Sequence, residues 1–208
     1  MAGRRSVVEA SNTRQSILSC AADMASVEGL EGVTVGRLAT ALNMSKAGAI
    51  GHFGNKLELQ LATLDFAAEV FRKEVWQPAE HVTAGMPRLL AICASWMEYA
   101  GRPAFPGGCF IAAASFEFDS RPGPVHDALA AHMRRWHTQL VADAKTAVEV
   151  GDLPASTDVE QIAFGLEALA ARVTPNRQLY GDERAAEHAR DSMLNLLGQR
   201  TRPPSSLA

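Results

Sequence analysis

Cysteine is too scarce and too irregularly spaced in this chain for a disulfide framework or a zinc site. The 208 residues include three cysteines, Cys20, Cys93 and Cys109, an odd number at spacings that match neither kind of site. We therefore expect reduced, buried thiols of the kind found in cytosolic proteins.

Long apolar runs are also missing. No stretch reaches the roughly 18 apolar residues that a membrane-spanning helix needs. The first residues, M-A-G-R-R-S, are not followed by the apolar segment of a signal peptide. We expect a cytoplasmic protein with no membrane partner.

The sequence contains none of the short motifs that carry common enzyme chemistry. There is no G-x-G-x-x-G, Walker or H-E-x-x-H sequence, and no Glu-x-x-His pair of a helical di-iron site. His126, His132 and His137 lie in one predicted helix, but spacings of six and five residues do not put them on one face. We expect no catalytic residue, no metal and no cofactor, and we interpret these histidines as solvated or core residues.

Acidic residues are absent from one stretch that carries basic ones. Residues 32–57 include no Asp or Glu, whereas Arg37, Lys46 and Lys56 are present. Residues 1–60 have six basic and five acidic side chains, and the remainder of the chain is acidic within a net charge of −3. A surface that approaches nucleic-acid phosphates carries few carboxylates. The charge distribution therefore favours nucleic-acid contact by the N-terminal end alone.

The same stretch has the pattern of two short helices joined by a tight turn. Thr34 and Ser45 are favourable N-cap residues, because a hydroxyl accepts hydrogen bonds from the first backbone N–H groups of a helix. Asn43 tolerates the left-handed conformation that ends the first helix. The inward-facing apolar residues are Val35, Leu38, Leu42, Ala49 and Phe53. This pattern predicts a helix-turn-helix whose second helix enters the DNA major groove; the alternative is a helical hairpin with a basic, solvated face.

Six short segments in and around this stretch match the sequence pattern of a known protein family, in the same order and without gaps. They are T-R-Q-S-I-L at 13–18, A-A at 21–22, G-L-E-G-V-T-V at 29–35, R-L-A at 37–39, S-K at 45–46 and H-F-G-N-K at 52–56. Through them, residues 11–62 resemble the N-terminal domain of the tetracycline-repressor (TetR/AcrR) family of transcriptional regulators. Residues 106–130 are similar to a stretch found in one branch of that family. Ile50 stands where the family usually has Tyr or Phe, so a phosphate hydrogen bond is not expected from this position.

The rest of the chain has apolar residues at helical spacing and no convincing strand, so the predicted fold class is all-α. Beyond the helix-turn-helix, predicted helices cover 12–28, 56–76, 84–101, 109–118, 124–150, 157–174 and 182–198. Residues 1–10 are predicted to be a tail or a basic arm, and residues 200–208 a loose tail. The resemblance implies a three-helix DNA-binding domain at 1–58 and a helical ligand-binding and dimerisation domain at 59–208.

Six apolar or aromatic residues of three successive helices are candidates for the lining of the implied ligand cavity. A drug-sized pocket has this kind of lining, although such residues usually form only core. The candidates are Trp96, Cys109, Phe110, Phe116, Met133 and Trp136. Cys109 as a redox sensor is a further interpretation, which its apolar neighbours disfavour.

The last two predicted helices are apolar on one face, and the resemblance favours pairing of that face across a two-fold axis over burial inside one chain. The predicted interface residues are Ile162, Leu166, Leu169, Met193 and Leu196. A dimer would present two recognition helices to two DNA half-sites.

These observations predict a ligand-responsive transcriptional regulator that binds double-stranded operator DNA as a homodimer, most simply a repressor with a small apolar or aromatic effector. The predicted DNA-binding residues are Thr34, Val35, Gly36, Arg37, Ser45, Lys46, Ala47, Gly48, Ile50, Gly51, His52 and Lys56. The alternative is a helical-bundle enzyme or small-molecule carrier with a vestigial helix-turn-helix.

Overall fold

The computed structural model describes residues 2–102 and 104–199, with side chains from residue 10 onward. In these residues the fold is all-α, as predicted, and includes no strand. The helices are α1 (Ala2–Glu28), α2 (Val35–Ala41), α3 (Lys46–Gly51), α4 (Lys56–Phe71), α5 (Met86–Gly101), α6 (Phe110–Phe118), α7 (Pro124–Glu149), α8 (Val159–Tyr180) and α9 (Ala185–Leu196), and a π-helical turn, Arg72–Trp76, continues α4. None of the described helices is both long enough and apolar enough to cross a membrane.

Two helix boundaries differ substantially from the prediction, and the others differ by a few residues. The first helix begins at Ala2 rather than at residue 12, because no proline interrupts residues 2–28; the side chains of Arg4 and Arg5 lie outside the described part. The helix α8 continues through Pro175, which was predicted to end it, and stops at Gly181. Gly181 has a φ of 66° and donates its N–H to the carbonyl of Arg177 at 3.1 Å, the left-handed C-terminal cap that glycine favours. The predicted tail at 200–208 lies outside the described residues.

The chain forms two compact units. Among the described residues, unit 1 consists of 2–70 and 104–132, and unit 2 of 71–102 and 133–199. Unit 1 therefore includes α6 and the start of α7 together with the helix-turn-helix, which differs from the predicted boundary at residue 58. Their shared core explains the difference, since apolar residues of α1, α2, α4, α6 and α7 form one buried cluster that includes Ile17, Leu38, Leu64, Phe110 and Leu129.

In unit 2, α8 packs on α9, and α5 packs on both. The buried carboxylate of Asp143 accepts hydrogen bonds from the backbone N–H of Gly85 at 3.0 Å and from Gln139 at 3.0 Å, which fixes the start of α5 against α7. His137 of α7 lies between two carboxylates of α8, Glu160 at 2.8 Å and Glu167 at 3.0 Å, and these hydrogen bonds raise the pKa of the imidazole. No group of three potential ligands in the described residues is arranged to hold a metal ion.

Candidate nucleic-acid interface

Both short helices of the helix-turn-helix begin at the predicted capping residues. The hydroxyl of Thr34 accepts a hydrogen bond from the N–H of Arg37 at 3.4 Å, and the hydroxyl of Ser45 accepts one from Gly48 at 3.0 Å. Each cap satisfies a backbone donor that has no partner inside its helix. The caps fix where α2 and α3 start, and hence which residues of α3 face outward.

The turn between α2 and α3 is built around Asn43. Its φ of 51° is left-handed, as predicted, and the following N–H, of Met44, donates to the carbonyl of Ala39 at 2.8 Å. Ala39 is buried, and its small side chain permits the close approach of the two helices. The turn thereby directs α3 across α2 in the arrangement of a DNA-binding helix-turn-helix.

Burial separates the two faces of α3. Ala49 and the following Phe53 are buried, which confirms their predicted inward direction. The remaining predicted contact residues of this segment are exposed (Ser45, Lys46, Ala47 and Gly51) or half-buried (Gly48, Ile50 and His52). The outward face is therefore small, flat and weakly basic, with room for a close approach to base edges.

The two other predicted phosphate contacts, Arg37 and Lys56, are held by carboxylates that lie outside the predicted site. Arg37 makes a two-point ion pair with Glu28, at the end of α1. Lys56 donates to the carboxylate of Glu31 at 2.6 Å and to its backbone carbonyl at 2.9 Å. These hydrogen bonds lower the pKa of both glutamates, so the carboxylates stay charged beside the cations at neutral pH. Arg37 and Lys56 remain partly exposed, and each is oriented by its ion pair.

A groove of about 620 Å³ lies in unit 1 beside the end of α3. The guanidinium of Arg14 stacks over the ring of Phe53 at 5.0 Å at one side of it. None of the six residues predicted to line a ligand pocket contributes to this groove, whose walls are Arg14, Gln15, Leu18, His52, Phe53, Glu58, Leu61, Ala62, Asp65, Phe66 and Glu69.

The six predicted pocket residues are divided between the two units. Cys109, Phe110 and Phe116 belong to unit 1, where Phe110 is buried in the core and Phe116 is 69% exposed. Met133, 40% exposed, belongs to unit 2 together with Trp96 and Trp136. The pocket lining remains a prediction for all six residues. Of the six, the structure brings Trp96 and Trp136 into ring contact in unit 2.

Trp96, Trp136 and Phe71 form an aromatic cluster in unit 2. Each pair meets edge to face, with ring centroids 5.1 to 5.8 Å apart. The indole nitrogen of Trp136 is buried and has no hydrogen-bond partner among the described residues. A buried N–H without a protein acceptor costs free energy unless a water or another molecule supplies the acceptor.

The thiols have the environments of structural cysteines. None of the three forms a disulfide bond; Cys93 is buried, and Cys20 and Cys109 are half-buried. Burial raises the pKa of Cys93 to about 12 and, together with the nearby Asp23, raises that of Cys20. Neither of these two thiols is therefore a reactive thiolate at neutral pH.

The residues predicted for a dimer interface occupy two environments on α8 and α9. Ile162, Leu166 and Met193 are buried within the single chain, in the unit where α8 packs on α9. Leu169 and Leu196 are partly exposed. The same helix α8 also carries Phe164, 70% exposed, and Leu179, 76% exposed, which periodicity alone did not identify.

Comparison with known proteins gives consistent matches. Residues 17–63 match the family model described as bacterial regulatory proteins, tetR family, and residues 85–193 match the tetracyclin repressor-like C-terminal domain. No curated protein sequence matches the chain.

Solved structures of regulators share the fold. A TetR transcriptional regulator from Chloroflexus aurantiacus J-10-FL has a TM-score of 0.83 at 22% identity, covering 92% of this chain and 97% of that one. A TetR-family regulator from Cytophaga hutchinsonii has a TM-score of 0.77 at 21% identity, covering 94% and 98%. AibR, solved in complex with isovaleryl coenzyme A and operator DNA, has a TM-score of 0.73 at 20% identity, covering 91% and 100%.

Proposed function

Because the chain belongs to the TetR family of bacterial regulatory proteins and is a ligand-responsive DNA-binding regulator, we propose that it is a dimeric repressor. In this proposal a small apolar or aromatic effector releases it from operator DNA in the cytoplasm. The helix-turn-helix, with a capped α3 and an outward face of small residues, is the observation that carries the DNA-binding part.

The dimer is proposed to form through α8 and α9. Phe164 and Leu179 lie fifteen residues apart on α8 and are both strongly exposed, so a single chain leaves an apolar face on this helix in water. Burial of such a face against a second copy is favourable at about 25 cal/mol per Å² of apolar surface. Two recognition helices then reach half-sites about 34 Å apart, one turn of DNA.

The effector is proposed to bind at the aromatic cluster of unit 2. Trp96 and Trp136 offer apolar ring surface, and the indole N–H of Trp136 offers a donor to a carbonyl or carboxylate oxygen of the effector. AibR, whose structure has bound isovaleryl coenzyme A and operator DNA, supports a small molecule as the regulator of a protein with this fold. An apolar or aromatic molecule with one hydrogen-bond acceptor suits the site.

Replacement of Lys56 by alanine is expected to weaken binding to every DNA sequence by a similar factor. Two N–H groups of the Lys56 ammonium donate to Glu31, at 2.6 and 2.9 Å, and the third can donate to a DNA phosphate. Loss of one phosphate contact lowers the slope of log affinity against log salt by roughly one. Fluorescence anisotropy at several salt concentrations measures this slope. A changed sequence preference with an unchanged slope would contradict the phosphate assignment.

Reciprocal titration tests the proposed function as a whole. DNA from the region upstream of the protein's own gene is titrated by anisotropy, and candidate aromatic acids and esters are titrated by tryptophan fluorescence with and without that DNA. We expect an effector to weaken DNA binding tenfold or more, which corresponds to ~1.4 kcal/mol of coupling, and DNA to weaken effector binding by the same factor. Absence of specific DNA binding would overturn the repressor proposal, and equal effector affinities in the two titrations would overturn the effector's role.

A further inference from the structure

A carboxylate of α6 is bonded to the connection between α1 and α2. The two oxygens of Glu117 accept hydrogen bonds from the backbone N–H groups of Leu30, at 2.7 Å, and Glu31, at 2.8 Å. We call this two-point contact the Glu117 bridge. A charged acceptor on two backbone donors is about twice as strong as a neutral pair, and the two short distances define the position of both groups.

Two glycines bring the backbone close enough for the bridge. A Cβ at Gly29 would lie 3.0 Å from each carboxylate oxygen of Glu117, and the φ of 85° at Gly29 favours glycine. Before α6, the N–H of Gly107 donates to the hydroxyl of Ser26 at 2.9 Å, and a Cβ at Gly107 would overlap the backbone carbonyl of Ser26. The segment that leads into α6, and α6 itself, thus contact the end of α1 and the following residues at close range.

The bridge continues directly to the candidate phosphate contacts. Glu31, whose N–H is held by Glu117, accepts from Lys56 through both its carboxylate and its carbonyl, and from the buried amide of Gln60 at 2.9 Å. Glu28, immediately before Gly29, holds the guanidinium of Arg37. Lys56 is therefore attached to a residue whose backbone N–H is held by Glu117 of α6, and Arg37 is attached to the end of α1, two residues before the bridge.

We propose that Glu117 is a positioning residue for DNA binding, which holds residues 30 and 31, just after α1, so that Lys56 meets a DNA phosphate. This proposal rests on the proposed function and names a control element of the same DNA-binding site. A shift of α6 by about 1 Å lengthens both hydrogen bonds of the bridge beyond normal range, and Glu31 and Lys56 then lose their fixed position.

Glu117→Gln tests this proposal with little change in side-chain shape. The amide nitrogen of Gln faces one of the two backbone N–H groups, so one hydrogen bond is replaced by a donor–donor contact. We expect DNA binding about tenfold weaker, a salt slope lowered by roughly one because Lys56 is released, and faster amide hydrogen exchange at Leu30 and Glu31. All measurements are made well below the unfolding midpoint of each variant, so that loss of folded protein does not contribute.

Asp119→Asn is the matched control, since it removes one negative charge at the exposed end of the same helix. Loss of a carboxylate near DNA tightens binding by electrostatics alone, so this variant is expected to bind as well as the wild type or slightly better. Weaker binding by Glu117→Gln together with unimpaired Asp119→Asn supports the positioning role.

Two results would overturn it. If Glu117→Gln lowers the unfolding midpoint but leaves affinity and salt slope at the wild-type values, the bridge is only a structural brace. If both variants tighten DNA binding equally, the effect is one of charge. Wild-type protein that binds no DNA at all refutes the proposed function instead, and the two failures are thus distinguishable.

Discussion

Replacement of Gly107 by alanine should lower the free energy of unfolding more than replacement of any other described glycine by alanine. The added Cβ would overlap the backbone carbonyl of Ser26, which lies in α1 and is fixed by its own helix. A rigid backbone atom cannot move aside as a flexible side chain does, so the loop before α6 must move. We expect a loss of about 3 kcal/mol or more, which corresponds to a fall of roughly 6–12 °C in the unfolding midpoint of a chain of this size.

Two other glycines give a graded control for this effect. A Cβ added at Gly51, in α3, would have no neighbouring atom within 4 Å. Gly51→Ala is therefore expected to be neutral or to stabilise the protein by up to ~1 kcal/mol through helix propensity. Alanine at Gly165 meets the end of the Leu196 side chain at 2.6 Å, and this side chain is able to rotate, so an intermediate effect is expected. Thermal unfolding followed by circular dichroism measures all three. The same midpoint for Gly107→Ala as for Gly51→Ala would contradict the close packing of this loop on α1.

Local features of the helix-turn-helix were predictable because their causes are local. The caps at Thr34 and Ser45 and the left-handed Asn43 depend on residues within three or four positions of one another, so the sequence predicts all three. The inward direction of Ala49 and Phe53 follows from helical spacing in the same way. The all-α class follows from the repetition of such spacing along the chain.

Contacts between distant residues were not predictable by these means. The absence of acidic residues at 32–57 suggested unopposed cations, yet Glu28 and Glu31 lie just outside that window and pair with Arg37 and Lys56. The Glu117 bridge joins Glu117 to Glu31 and Leu30, which precede it by 86 and 87 positions in the sequence. No local pattern indicates such a contact. Apolar spacing on α8 identified the stripe that packs on α9, whereas exposure was needed to find the opposite apolar positions such as Phe164.

The proposed dimer yields the other large expected effect. The double substitution Phe164→Glu and Leu179→Glu should convert a dimer at micromolar concentration into monomers. Both side chains are strongly exposed in the single chain, so a carboxylate at either position remains hydrated in the monomer and disturbs its fold little. In a dimer interface the same carboxylates would be buried without partners, which is strongly unfavourable. Sedimentation velocity and the unfolding midpoint together separate loss of assembly from loss of folding.

Val150→Glu is the matched control for added charge at an exposed apolar position outside α8, and it should leave the dimer intact. Leu166→Glu is unsuitable, because Leu166 has no exposed surface and its replacement would unfold unit 2. A wild-type chain that sediments as a monomer at micromolar concentration would refute the dimer, and a double variant that stays dimeric would exclude this face as the interface.

Loss of the dimer should reduce operator affinity far more than loss of any one phosphate contact. When two DNA-binding units are joined, the second binds at a high effective concentration once the first is bound, and overall affinity rises by about 10²–10⁴. A monomer keeps α3, Lys56 and Arg37 and therefore retains weak binding to a single half-site. We expect the double variant to bind the full operator about 100-fold or more weakly, with an affinity equal to that for a half-site. For the wild type, insertion of five base pairs between the half-sites should cause a comparable loss, because it turns the second half-site to the opposite side of the DNA, whereas the monomeric variant should be indifferent to it.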